Sequence, residues 1–349
     1  MREPDAGTFF MTNRPMIAHL RFSGVAFGSR TVPSEEVDLA FGMPVGKLRH
    51  RAGIFSLAYA EENESEVTLA AKAIADALRN AGVSPQALDW IVATSETDRA
   101  FPSLAAQLHL AIGARETCGA LDVGGACLGL LHALLVAKSL VQSGQARNAL
   151  VVTSDLHSRT LIPGRVAGEF GGLFGDGASA FLVQAKTAGE SGDGFVLREM
   201  FFGCASQFQK AIQVSAEPCH QLRVIFDGGA LSRAATARLE QCIGELERRS
   251  GVPRSEAAAF ATHQPNPRLV ALLAKKCGVP LERFPMVAET RGNLGSTTCG
   301  AALHFALETS RIDGEVARKA GPIFVASLGP GLLFGGGWME PASGVRAAS

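Results

Sequence analysis

An α/β protein made of two duplicated halves is what the sequence predicts, and three observations carry that prediction. Helix-periodic stretches alternate with short apolar, strand-like runs along the chain. The same order of elements occurs twice. The repeat is about 170 residues long, far beyond any solenoid period, so each copy is a half with its own strands and helices.

In the first copy, Leu69, Ala73, Ile74, Ala77 and Leu78 recur at helical spacing and predict a helix over Thr68–Ala81. Gly82 closes it, Pro85 follows, and Trp90–Thr94 reads as a strand. In the second copy a helix over Ala234–Arg249 ends at Gly251, Pro253 follows, and Ala258–Thr262 reads as a strand. Gly82 and Gly251 stand 169 positions apart. The same offset carries Cys127 onto Ser296, just before a helical run over Cys299–Thr309. Strand Ala149–Thr153 is echoed by Ile323–Ser327, and Phe181–Val183 by the stretch around Leu332–Met339. Helices starting at matching places in two pseudo-symmetric halves would aim their N-termini at one central region. The expected division is a frayed extension over 1–15, a first half over 16–190 and a second half over 191–349.

Lys plus Arg and Asp plus Glu both total 33, and no basic stripe interleaved with aromatics occurs, which argues against a nucleic-acid partner. The cysteines number seven without C-x-x-C spacing, so they read as reduced thiols of a cytoplasmic protein rather than metal ligands. Val123–Ala137 is uncharged but too short to span a bilayer, and Pro330 with its glycines breaks Pro322–Met339 into strands, so no membrane segment is expected.

Cys127 stands where a strand-like run meets a helix-like one, between Gly124-Gly125 and Gly129. A helix N-terminus beneath a thiol favours thiolate, the form that attacks acyl carbonyls. That placement predicts alkylation faster than at Cys118, Cys242 or Cys277. His263 directly follows the second-half strand, at the end where open α/β sheets place ligand sites. Asn293 lies in a glycine-flanked turn before the second central helix. A thiol supplies a nucleophile, an imidazole moves or donates a proton, and an amide donates to an enolate or thioester oxygen without repelling it. Asp176, inside Gly175-Asp176-Gly177, reads first as a turn residue with a structural role.

These residues, with the motifs Gly125-Ala126-Cys127-Leu128-Gly129, Phe174-Gly175-Asp176-Gly177-Ala178, His263-Gln264-Pro265-Asn266 and Gly292-Asn293, resemble the β-ketoacyl-[acyl carrier protein] synthase III group of the thiolase-like superfamily. The resemblance runs from about Met16 to Met339. It implies the five-layered αβαβα thiolase-like fold and a homodimer, with no cofactor beyond acyl thioesters of coenzyme A or acyl carrier protein. It implies that Cys127 accepts the acyl group, while His263 and Asn293 promote decarboxylation of a malonyl-type extender whose enolate attacks the acyl-cysteine. Phe101 would help close the neighbouring subunit's acyl pocket. Arg51, Arg268, Asn266 and Gly331 would contact substrate, with Arg268 at a carrier-docking position.

Three departures accompany the resemblance. Pro330 removes an N–H from the oxyanion loop Leu328–Leu332, giving a Gly-Pro-Gly-Leu version similar to type III polyketide synthases. The family's adenine-stacking tryptophan has no counterpart ahead of Gly53-Ile54, and Arg165 is only adjacent to the second stacking position. The segment between Phe195 and Arg223, with Cys204 and Cys219, reads as a loop without a family match. Two other readings follow: an acyltransferase passing the acyl group to an alcohol or amine, and a non-catalytic partner of a homologous synthase.

Overall fold

Neighbouring side chains on a strand point to opposite faces, so a strand that is apolar throughout must be covered on both sides. Several strands of the main sheet are buried on both faces, and the layers follow from them. The structure, a computed structural model, describes residues 15–98, 100–187, 193–216, 222–312, 315–316 and 321–342. Nine strands form the main sheet among these residues: β1 (Met16–Phe27), β2 (Trp90–Thr94), β3 (Gly119–Asp122), β4 (Asn148–Leu156), β5 (Asp176–Thr187), β6 (Phe195–Cys204), β7 (Ala259–Thr262), β8 (Ile323–Gly329) and β9 (Leu333–Pro341). Their order is β7-β8-β9-β6-β1-β5-β4-β2-β3. The two half-sheets meet at β1 and β6 through only two residue pairs, His19 with Val196 and Leu20 with Phe195.

The principal helices are α1 (Glu66–Ala81), α2 (Leu104–Ala111), α3 (Gly129–Gln142), α4 (Gly228–Ser250), α5 (Pro267–Cys277) and α6 (Ser296–Thr309). Strand alternation sorts them into layers. On β4, Ala149 and Val151 pack with α3 and α6, whereas Leu150 and Val152 pack with α1 and α2. On β8, Ile323 and Val325 face the same central helices, whereas Phe324 and Ala326 face α4 and α5. The result is helix, sheet, central helices, sheet, helix: the expected five-layered thiolase-like fold. Each buried Leu, Ile or Phe contributes roughly 1.5–3 kcal/mol through removal from water, and the central layer collects them from both halves.

Local signals explain the boundaries. α1 starts with a capping box in which Ser65 and Thr68 satisfy each other's backbone N–H, and it ends at left-handed Gly82. Asn266 caps α5 by accepting from the Leu269 N–H at 3.0 Å, and Pro267 fills its first position.

The segment expected to be a loop between Phe195 and Arg223 is largely strand. It opens as β6, where Phe195 and Val196 form the second half's side of the seam and Phe195 and Leu197 pack into the central core. A helical turn over Ser206–Ala211 and a hairpin of Ile212–Ala216 with Leu222–Phe226 follow. Cys219, residues 1–14 of the expected extension over 1–15, and the half-to-half boundary at 190 lie outside the described residues. No helix among the described residues is long and apolar enough to cross a membrane.

Asp176 has the structural role its turn suggested. Its carboxylate accepts from the Ser158 N–H (2.9 Å), the Ser158 hydroxyl (2.5 Å) and the Ala60 N–H (2.7 Å), tying the start of β5 to two loops. Asp176→Ala leaves those buried donors unsatisfied and is expected to cost about 3 kcal/mol. Urea unfolding should show the loss, with Asp176→Asn, which keeps an acceptor, losing less.

Candidate active site

The chain leaves β3 through Val123–Gly125, makes a short 3-10 turn over Ala126–Leu128 and enters α3. The turn is strained: Gly125 has φ +138° and Ala126, with a side chain, has φ +48°. Any side chain at Gly125 would place its Cβ 2.4 Å from His132 Nδ1. Cys127 sits at the apex, 9% exposed, and the Ser327 hydroxyl from β8 holds its carbonyl at 2.7 Å.

Asn293 reaches the same place from the second half. Its N–H donates to the Leu173 carbonyl (2.8 Å), and its carbonyl accepts from the Gly175 N–H (2.9 Å). The Phe174–Ala178 motif of the first half thus grips the asparagine of the second. Asn293 Oδ1 is occupied by the Gly295 N–H (3.0 Å) and the Thr298 hydroxyl (3.1 Å). Its NH2 is the end left over as a donor. Gln264, next to His263, donates to the Pro285 carbonyl (2.6 Å) and accepts from the Val287 and Ala288 N–H groups (2.9 and 3.1 Å). That clamp couples the histidine loop to the segment leading into Asn293.

Cys127, His263 and Asn293 line one cavity of about 550 Å³, together with Glu96. Apolar side chains such as Met43, Leu48, Phe170, Leu231 and Leu269 form much of the rest. Arg51 and Arg268 also border it, as do Asn266 and Lys47, the last paired with Glu169. One expected contact, Gly331, is not among the residues bordering the cavity. Gly331 makes the turn after β8 with φ +81°, and its neighbours Gly329 and Pro330 form the wall instead. Gly329 packs on the turn so closely that a Cβ there would lie 2.8 Å from the Gly125 carbonyl. Phe101 is 96% exposed and borders no part of this chain's cavity. Arg165 donates to its own loop at the Thr160 carbonyl, 3.2 Å away.

The electrostatics reverse one expectation. Burial, then the Glu96 and Asp155 carboxylates, push the Cys127 thiol well above its ordinary pKa. A helix N-terminus is worth about 0.3–1 kcal/mol, up to ~2 in partly buried geometry, and cannot offset a thiolate desolvated beside two carboxylates. Cys127 is therefore held as a thiol rather than poised as a thiolate. Burial lowers His263 to about 4, so its imidazole is neutral. His157 moves the other way: burial opposes its charge, but Glu96, Asp155 and Asp176 outweigh that and raise it to about 9. Its Nε2 lies 3.6 Å from Glu96 Oε2, an ion pair rather than a hydrogen bond. Burial and Glu96 raise Asp155 to about 6.

Residues 121–199 match the family 3-oxoacyl-[acyl-carrier-protein (ACP)] synthase III, and residues 248–340 match its C-terminal family. The β-ketoacyl-[acyl-carrier-protein] synthase III of Rhodobacter capsulatus is 32% identical over 304 residues, covering 82% of this chain and 88% of that one. The chain belongs to the β-ketoacyl-[acyl-carrier-protein] synthase III family. Its members are condensing enzymes of the acyltransferase class, and so is this protein. The 3-oxoacyl-[acyl-carrier-protein] synthase III of Aquifex aeolicus VF5 superposes with a TM-score of 0.80 at 26% identity, covering 93% of this chain and 99% of that one. The priming β-ketosynthase of the R1128 polyketide pathway superposes at 0.79 with 25% identity, covering 95% and 98%.

Sequence reasoning missed Glu96, Asp155 and His157. All three follow or end strands of the parallel part of the sheet, Glu96 after β2 and the other two at the end of β4. That is the criterion that singled out His263, and applying it to every strand would have found them.

The His157 value fixes a pH window for stability. Its ordinary value is 6.5 and its folded value about 9, so the folded state binds the extra proton between them. Its stabilisation is complete below pH 6.5 and disappears as pH rises through 9. The stability gap between the native chain and His157→Asn should accordingly shrink over that range in urea unfolding. Histidine NMR should show His157 charged and His263 neutral at pH 7.5.

Proposed function

We propose that Cys127 is the nucleophile that takes an acyl group from a coenzyme A or carrier-protein thioester. His263 and Asn293 then promote loss of CO2 from a malonyl-type extender, and the enolate carbon attacks the acyl-cysteine to give a β-ketoacyl product. The observation that carries this is the orientation of Asn293. With Oδ1 occupied twice, it offers NH2 to a cavity it shares with the thiol and a neutral imidazole. Two neutral donors suit an oxygen that becomes negative as CO2 leaves.

The first half would supply the nucleophile and the second half the two donors. Arg51 and Arg268, exposed at the cavity border with no ion pair among the described residues, suit the phosphate of a carrier arm. Asn266, already occupied as a helix cap, would contribute mainly by shaping the wall. The working unit in this reading is a homodimer in the cytoplasm. β3 is the outer strand of the first half-sheet, and Phe101 lies exposed just before α2, where a second copy could receive it. Biosynthesis of fatty acids or polyketides is the setting that fits.

The test is incubation with acyl and malonyl thioesters, following acylated protein by intact mass and CO2 and β-ketoacyl product by chromatography. Cys127→Ala should show no acyl adduct. His263→Ala and Asn293→Ala should still be acylated but lose about 10²–10³-fold in CO2 release. An adduct that passes to an alcohol or amine without CO2 would overturn the reading. In a homodimer, Phe101→Ala should shift chain-length preference while leaving loading with a short acyl group intact, measured by competition between acyl thioesters.

A further inference from the structure

The carboxylate beside the nucleophile has no part in the chemistry described so far, and its surroundings are built to hold it there. Glu96 stands on a tight loop after β2. Ser95 Oγ accepts from the Thr97 and Asp98 N–H groups at 3.1 and 2.9 Å, and the Glu96 N–H donates to Asp155 Oδ1 at 2.6 Å. Gly295 lies against it so closely that a Cβ there would be 2.6 Å from Glu96 Oε1 and 2.7 Å from His157 Cε1. One carboxylate oxygen faces the His157 imidazole. The other, Oε1, is buried without a conventional hydrogen-bond partner, and the Cys127 thiol is in interaction range of the carboxylate. A buried acceptor without a conventional partner is costly, and a purely structural glutamate would avoid it.

We infer that Glu96 is a catalytic residue of acyl loading, a proton relay between Cys127 and the leaving carrier sulfur. The inference rests on the reading that Cys127 is acylated. As Cys127 Sγ attacks the thioester carbonyl, its proton passes to Glu96 Oε1. When the tetrahedral intermediate collapses, the carbon–sulfur bond to the carrier breaks, and the carrier thiolate takes that proton from Glu96. One thioester and one thiol are exchanged for another pair, Glu96 returns to its ionised form, and no further reactant is consumed. The relay answers a difficulty of this site, since a free thiolate facing Glu96 and Asp155 is disfavoured and the proton must leave while the bond forms. His157 keeps Glu96 ionised between turnovers. The groups facing Glu96 are Asp155 and His157 from the end of β4, Cys127 from the turn before α3 and His263 from the loop after β7.

The experiment compares two reactions of the same sulfur in Glu96→Gln. Alkylation by iodoacetamide needs only thiolate, whereas loading from an acyl thioester also needs the proton delivered to the leaving group. Removing the negative charge should speed alkylation at pH 7 several-fold and slow single-turnover loading by about 10²-fold. A loss of fold would depress both together, so rates moving in opposite directions distinguish a relay from a support. Loading at the native rate, or loading and alkylation falling together in a protein that melts normally, overturns the relay. Glu96→Asp, which keeps the charge but withdraws it, should slow loading less than Glu96→Gln. Equal slowing by the two also overturns it. Failure of the native protein to acquire an acyl group on Cys127 from any thioester would instead refute the underlying reading.

Discussion

Asp155 ends a strand of the first half, yet its carboxylate serves the second. Oδ2 accepts from the Ser296 and Thr297 hydroxyls at 2.8 and 3.2 Å, at the start of the second half's central helix, and Oδ1 holds the Glu96 N–H. Burying an ionised carboxylate costs several kcal/mol, and three donors with a helix N-terminus are what make it tolerable. The reciprocal link runs the other way, from Ser327 on the second half's β8 to the Cys127 carbonyl at the start of the first half's central helix. Each half therefore finishes the helix entrance of the other. The sheets share only two residue pairs at their seam, so the halves are joined chiefly by the helices packed between them and by these polar crossings at the active site.

The same crossings set the charge balance around the sulfur. A carboxylate near Cys127 is at first sight wrong for a reaction that develops negative charge and, in the proposed chemistry, starts from a malonyl carboxylate. Pairing resolves this. Glu96 faces a His157 that stays protonated to about pH 9, so the two together present no net charge to the cavity. The cost falls on the Cys127 thiol, which keeps its proton. A buried, protonated thiol reacts with electrophiles far more slowly than a thiolate does.

Much of this was legible in the sequence. The 169-residue offset between Gly82 and Gly251 found the duplication, and the same offset put Ser296, the first residue of α6, opposite Cys127. Strand β2 coincides with the expected Trp90–Thr94, because an apolar run closed by turn residues has little alternative. Strand β6 was not legible, since Arg198 and Glu199 interrupt its apolar pattern. The thiolate expectation failed for a different reason. Sequence reveals the helix behind Cys127 but not the carboxylates folded against it, and Ser95-Glu96-Thr97-Asp98 reads as an ordinary solvated loop. The Glu96 carboxylate lies against Gly295, almost two hundred residues away, where no side chain would fit.

The duplication also explains why the two central helices cannot exchange roles. Cys127 heads the first through a strained turn, with Ala126 at positive φ, that lifts the sulfur into the cavity. At the matching position the second helix has Ser296, whose hydroxyl is spent on Asp155. Replacing that serine by cysteine would supply a second thiol without the raised turn, and would weaken the donor set that keeps Asp155 in place. One entrance has become the seat of the proposed nucleophile and the other the anchor for its electrostatics. The asymmetry follows from the pseudo-two-fold itself. Two identical entrances aimed at one cavity would put two sulfurs or two anchors where the reaction has room for one of each.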